Sequence, residues 1–262
     1  SEGRVYTAFA PGACYLGGSG GDGGQAGIVG FISAGARLER CVNAGEVYAG
    51  RAAGVGGIVG SAGSSGTEVT LFQCANQGAV SNDTAAVLLN KGGTGGVLGL
   101  AAAGTVTVRS CYNTGSVAGS TIVGGILGGE RGEYSANAQY GCRGLTLENC
   151  YNAGGLLVGT ATVRVGALAG YPLDGRYYTG LTVRRGACRY VMGWKCSQGD
   201  SVRESTELTA ALFDGLVDSL GGVNGGYPLF DWQLLEQRCR EEIISDLDQR
   251  YRQDIRPIAS EA

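Results

Sequence analysis

Residues 111–128 read CYNTGSVAGSTIVGGILG, and the same order of parts returns along the chain. The pattern Cys-x-Asn-x-Gly-x-(Val or Leu) stands at Cys41, Asn43, Gly45 and Val47, and again at Cys74, Asn76, Gly78 and Val80. It recurs at Cys111, Asn113, Gly115 and Val117, and at Cys150, Asn152, Gly154 and Leu156. After a variable gap each is followed by a small apolar block: GGIVG at 56–60, GGVLG at 95–99, GGILG at 124–128 and GALAG at 166–170, with AGIVG at 26–30 opening the series. The motif cysteines lie 33, 37 and 39 residues apart, and the differences fall in the gaps rather than the motifs. Self-similar segments at a nearly fixed period, with insertions confined to the gaps, are the mark of a solenoid.

A short alternating segment precedes three of the motifs, carried by Val69 and Leu71, by Val106 and Val108, and by Leu145 and Leu147. Each repeat therefore offers about three short strands. Within the motif Cys, Asn, Gly and Val are two residues apart, so an extended backbone turns all four to one side, and that side is the interior. Stacked repeats then align Cys41, Cys74, Cys111 and Cys150 in one row and Asn43, Asn76, Asn113 and Asn152 in another. A buried amide needs partners for both of its ends, and the asparagine one rung away supplies them, which makes the row structural. Glycine suits the corners and the close approach of neighbouring coils. The GGIVG block has no lysine and opens no strand-to-helix unit, so it is not a phosphate loop.

Composition narrows the chemistry. Glycine fills 50 of 262 positions and proline 4, without the every-third-residue period of collagen, and 44% hydrophobic content calls for a folded chain. A net charge of −3 with 16% charged residues leaves no basic field for nucleic acid. No run approaches the roughly 18 apolar residues of a membrane span. Histidine is absent, which removes the commonest general base, the Ser-His and Cys-His pairs and the usual zinc ligand. Carboxylates in residues 1–200 are scattered; Glu130 and Glu133, beside Arg131 and Tyr134, are the nearest pair and read as a solvated loop, and Asp22 and Asp83 stand alone. These features predict no catalytic residue, no cofactor and no metal site, hence no enzyme. Nine cysteines is an odd number, and parallel side chains about 4.8 Å apart suit disulfide geometry poorly, so the row reads as buried thiols. Cys188 and Cys196 are a candidate disulfide at the closing coil.

The unit CYNTGSVAGSTIVGGILG at 111–128 resembles the GLUG repeat of bacterial surface proteins, and the likeness extends over about 14–198, with degenerate units at Cys14 and at 188–196. The segment NGGYPLFDW at 224–232 is similar to the ending that closes such arrays in Gram-positive gut bacteria. The resemblance implies an all-β parallel β-helix of about five glycine-rich repeats, exported to the cell surface, as a non-catalytic part of adhesins and cell-wall enzymes. It supplies no ligand and no catalytic residue.

Residues 1–198 are read as that solenoid, 199–232 as a capping segment with a short helix, and 233–262 as an amphipathic helical tail. Residues 201–262 hold 12 acids against 6 bases, whereas 1–200 hold 11 against 14, which sets the tail apart. Leu208, Leu212, Leu216 and Leu220 at i+4 spacing predict a helix over 206–220. Leu235, Cys239, Ile243, Leu247, Tyr251 and Ile255 predict a second over 233–255, whose stripe is buried on the chain's own solenoid or in a neighbouring copy. Two functions follow. One is a structural, adhesive or assembly module, with contacts from Tyr134, Tyr140, Tyr177 and Tyr178 and from Ile243 and Leu247. The other is a glycan-binding module, or the non-catalytic part of a carbohydrate-active enzyme, whose exposed tyrosines stack on sugar rings.

Overall fold

The computed structural model describes residues 5–7, 24–49, 53–82, 93–119, 122–130, 142–158, 164–170, 182–186, 188–191, 204–205, 208–219 and 222–254. The chain divides into two compact units, Ser1–Leu208 with Leu212–Asp214, and Thr209–Ala211 with Gly215–Ala262.

The first unit is a parallel β-solenoid. The coil that begins at Gly54 contributes Gly54–Gly56, Val59–Ala62, Glu68–Phe72, Ala75–Asn76 and Val80–Asn82, and each pairs in parallel with its counterpart in the coils before and after. Five strands per coil replace the three expected. The extra two arise because the motif and the apolar block each break in the middle: the chain turns after Asn76 and again between Gly56 and Val59. Asn76 itself drives the first turn, since its Nδ2 donates to the Gly78 carbonyl at 2.7 Å and so spans the bend. Cys, Asn and Val still point inward, but across a corner rather than along one straight strand.

The registers place like on like. Val69 pairs with Val106 and Val106 with Leu145, while Leu71, Val108 and Leu147 form the adjacent column. Ile58, Val97, Ile126 and Leu168 make another, all fully buried. With the cysteines they form the main core, and Val47, Val80, Val117 and Leu156 form smaller clusters beyond the motif turn. The columns repeat at the strand spacing of about 4.8 Å, which stacks each side chain on its like in the next coil.

One corner is not made by glycine. The residue before each motif cysteine, Arg40, Gln73, Ser110 or Asn149, has a left-handed φ of 54°, 51°, 50° or 53°. That conformation disfavours a Cβ, and four coils adopt it at the same place. The bend turns the strand that ends at Phe72 into the one that starts at Ala75 and sets the cysteine against the core.

In the second unit Leu216–Val217 pairs antiparallel with Leu229–Phe230, burying Leu229 and Phe230. The helix predicted over 206–220 is not formed. Ala210–Leu212 is a single 3-10 turn, and Gly215, at φ 78°, ends any helical continuation before Leu216 enters the hairpin. The predicted C-terminal helix exists as Asp231–Asp254, the one α-helix among the described residues. Its start is fixed by Gln233, whose Oε1 accepts the Phe230 N–H at 3.0 Å, one half of a capping box.

Candidate functional site

The chemistry-bearing residues converge on an internal row of amides. Asn43, Asn76, Asn113 and Asn152 are all fully buried. The Nδ2 of Asn43 donates to Asn76 Oδ1 at 2.8 Å, that of Asn76 to Asn113 Oδ1 at 2.7 Å, and that of Asn113 to Asn152 Oδ1 at 2.8 Å. The second proton of each Nδ2 goes to the carbonyl two residues on, at Gly45, Gly78, Gly115 and Gly154, over 2.7–3.1 Å. At Asn43 and Asn152 the Oδ1 also accepts the N–H of that glycine. Donors and acceptors in the row are used on one another, as the spacing predicts.

The second position of four of the five apolar blocks is a glycine, Gly27, Gly57, Gly96 or Gly125, that lies directly on this row; the last block has Ala167 there. A Cβ at Gly57 would stand 2.2 Å from Asn76 Oδ1, and one at Gly96 would stand 2.2 Å from the Gly125 carbonyl and 2.3 Å from Asn113 Cγ. The block and the cysteine motif, separate in sequence, are therefore two walls of one seam.

The cysteine row runs beside it. Cys74, Cys111 and Cys150 are buried and Cys41 is half-buried. Their sulfurs approach backbone carbonyls: Cys111 Sγ lies 3.3 Å from Arg109 O, and Cys150 Sγ lies 3.2 Å from Glu148 O. Desolvation, together with its contacts to Cys150 and Cys74, pushes the Cys111 thiol well up, while Cys74, on the receiving side of a hydrogen bond from Cys111, is lowered. Cys188 adds a fifth rung with its Sγ 3.5 Å from Leu147 O. Its proposed partner Cys196 lies outside the described residues, as do Tyr134, Tyr140, Tyr177, Tyr178, Glu133, Asp22 and Asp83.

Glu130 corrects the reading of a solvated loop. It ends the strand Leu127–Glu130, is 2% exposed, and its Oε1 accepts the Cys142 N–H at 3.0 Å. It shares a column with Ile32, Ala62 and Ala101, an interior position whose signal was its place just after the GGILG block. Burial, and then the Glu130 carboxylate, push the Cys142 thiol up to about 12. Two tyrosines that the sequence reading passed over, Tyr112 and Tyr151, stack at 5.0 Å and 6° between planes, and Phe213 packs on Tyr151 at 5.2 Å. Ile243 and Leu247 are 60% and 59% exposed on the helix of the second unit. Among the described residues no group of three His, Cys, Asp or Glu is placed to hold a metal ion, and no helix is long and apolar enough to cross a membrane.

The fold and the inward rows define a parallel β-solenoid with a polar seam. Of solved structures, a Bacteroides ovatus chain described as a "putative immunoglobulin A1 protease" is similar, with a TM-score of 0.54 and 19% identity. The match covers 80% of this chain and 64% of that one, so this chain spans less than two thirds of its neighbour, and at this identity the likeness is one of fold. No family model matches the sequence, and no curated protein sequence matches it.

Proposed function

We propose that this chain is a non-enzymatic structural module of an exported bacterial surface protein, of the GLUG-repeat kind, in which the solenoid serves as a rigid body for adhesion or assembly. The observation that carries this reading is the asparagine row, whose amides bond to one another and to backbone carbonyls from Asn43 to Asn152. Side chains of the types that bind or catalyse are spent on joining coil to coil. Repetition of that joint makes a body whose stability is a sum of neighbouring interfaces, which suits a spacer or a display surface. The absence of histidine from the sequence supports the same reading.

The test combines turnover with coil removal. The chain is incubated with immunoglobulin A1, chosen for its neighbour's description, and with peptide and polysaccharide panels; no cleavage is expected. Residues 93–121 are then excised, which joins equivalent registers because Thr94 aligns with Val123 and Val55. The shortened chain is expected to fold with the same circular dichroism per residue. Cleavage that Glu130→Gln abolishes would overturn the proposal, and so would collapse of the excised chain.

A further inference from the structure

Each motif cysteine holds its sulfur in the same place. Cys41, Cys74, Cys111 and Cys150 direct Sγ to the carbonyl two residues back, at Glu39 (3.6 Å), Phe72 (3.4 Å), Arg109 (3.3 Å) and Glu148 (3.2 Å). Cys74, Cys111, Cys150 and Cys188 also face a carbonyl of the coil before, that of Leu38, Leu71, Val108 and Leu147, at 3.5–3.7 Å. Those four carbonyls belong to one column of the sheet. Like surroundings in every coil mean like rotamers, so neighbouring sulfurs are separated by the coil spacing of about 4.8 Å. The Cβ–Sγ bonds stand across the row rather than along it.

That separation excludes one bond and admits another. A disulfide needs sulfurs about 2.05 Å apart. Two metal–thiolate bonds of about 2.3 Å set in line span about 4.6 Å, within a few tenths of an ångström of the row's own step. Zinc(II) asks for four ligands in a tetrahedron, which a single file of sulfurs does not supply. Copper(I) is a soft ion selected by thiolates, and two of them in line satisfy it. The backbone is already arranged for a charged sulfur. The Cys74 N–H donates to Cys111 Sγ at 3.4 Å, and the N–H groups of Cys41 and Cys111 stand in the same relation to the sulfurs of Cys74 and Cys150. An amide donor at sulfur favours the thiolate over the thiol.

We propose that Cys41 and Cys74 form a binding site for copper(I), held in line between their two sulfurs. The step balances without an oxidant: one cuprous ion and two thiols give an S–Cu–S unit of single negative charge and release two protons. Burial selects this gap among those of the row. Cys41 is half-buried, whereas Cys74, Cys111, Cys150 and Cys188 are fully buried. An ion therefore reaches the first gap most readily, and the negative charge left there lies nearest to water; the same charge between two fully buried sulfurs is far more costly.

The full chain, reduced and kept free of oxygen, is titrated with copper(I) in competition with bicinchoninate. Uptake is expected, with X-ray absorption showing two sulfurs on the tightest-bound ion, and excess zinc(II) is not expected to displace it. Cys41→Ser is expected to weaken uptake at least about tenfold with circular dichroism unchanged, because the ion must then lie between fully buried sulfurs. Cys239→Ser, at an exposed position of the C-terminal helix, is expected to leave uptake unaltered. A second measurement needs no substitution. Iodoacetamide labelling of the folded parent chain, mapped by mass spectrometry, is expected to show Cys41 protected by one equivalent of copper(I) while Cys239 still reacts. No uptake against the competitor, three or more sulfurs around the copper, displacement by zinc(II), equal affinity in Cys41→Ser, or protection of Cys239 in place of Cys41 would each overturn the proposal.

Discussion

Asn113→Ala tests whether the amide row holds the coils together. The Asn113 side chain makes three hydrogen bonds: Nδ2 to Gly115 O at 2.8 Å, Nδ2 to Asn152 Oδ1 at 2.8 Å, and Oδ1 from Asn76 Nδ2 at 2.7 Å. Truncation leaves the Gly115 carbonyl without this donor, takes one of two partners from Asn76 Nδ2, and leaves Asn152 Oδ1 with the Gly154 N–H alone. A buried neutral group that loses its partner costs about 1–3 kcal/mol, so three such losses sum to roughly 3–9 kcal/mol. Asn43, at the end of the row, makes one bond to another asparagine and two to Gly45, Nδ2 to the carbonyl and Oδ1 from the N–H, so Asn43→Ala breaks one bond between coils where Asn113→Ala breaks two, and is expected to cost less. Asn113→Asp keeps the shape but presents only acceptors to Gly115 O and Asn152 Oδ1, and so is expected to destabilise at pH 7 at least as much as alanine. Urea unfolding followed by circular dichroism measures all three. A cost below about 1 kcal/mol for Asn113→Ala, or a cost at position 43 as large as at 113, would refute the claim that the bonds between asparagines hold the coils together.

Two other outcomes follow from the same packing. Gly96→Ala forces a methyl to within 2.2 Å of the Gly125 carbonyl, where backbone must move, so a loss of about 3 kcal/mol or more is expected, against about 1 kcal/mol for Gly66→Ala, whose Cβ meets nothing within 4 Å and whose φ of 76° is the sole strain. Comparable urea midpoints for the two variants would contradict this. Cys142 has its thiol raised from the ordinary 9.0 to about 12, so folding favours the protonated form; that stability is complete below pH 9 and fades as pH rises toward 12, by about 1.4 kcal/mol per unit. The stability gap between the parent and Cys142→Ala should accordingly narrow between pH 9 and 11, and a constant gap would reject the assignment.

The parts of this fold legible in the sequence were those carried by spacing. Cysteine, asparagine and the Val69, Val106 and Leu145 positions repeat with fixed offsets, and like-on-like stacking follows once the chain is wound as a solenoid. The corners were hidden because Arg40, Gln73, Ser110 and Asn149 share a left-handed backbone but no side-chain chemistry, so no residue type announces the turn. The division into five strands was hidden for a related reason: at Asn76 the side chain, not a proline or an Asn-Gly turn, bends the backbone. Leucines at i+4 from 208 to 220 mimic a helix, yet Gly215 and the hairpin partner Leu229–Phe230 decide the outcome. Glu130 was misplaced because a carboxylate reads as solvated until the strand register sets it beside Ala101.

The two internal rows end at different rungs, and their chemistry explains why. In the fifth coil Tyr151 and Asn152 pair with Arg189 and Tyr190, so a tyrosine stands where an asparagine would continue the amides, while Cys188 still occupies the cysteine position. A buried thiol asks little of its neighbour: Cys188 packs in the same core as Cys150 and directs its Sγ at a backbone carbonyl. An amide asks for a matched donor and acceptor on each side, and every bond in the row runs one way, from Nδ2 of one rung to Oδ1 of the next. The asparagine row therefore has a direction, and it can stop only where a residue of another kind takes the next position. Tyr190, 7% exposed, does so by filling the site with a ring rather than by continuing the chain of bonds. The last repeat departs from the pattern elsewhere too: the column of Val69, Val106 and Leu145 continues in register with Val183, but Arg185 takes the position after Leu147 and Arg189 the one after Tyr151.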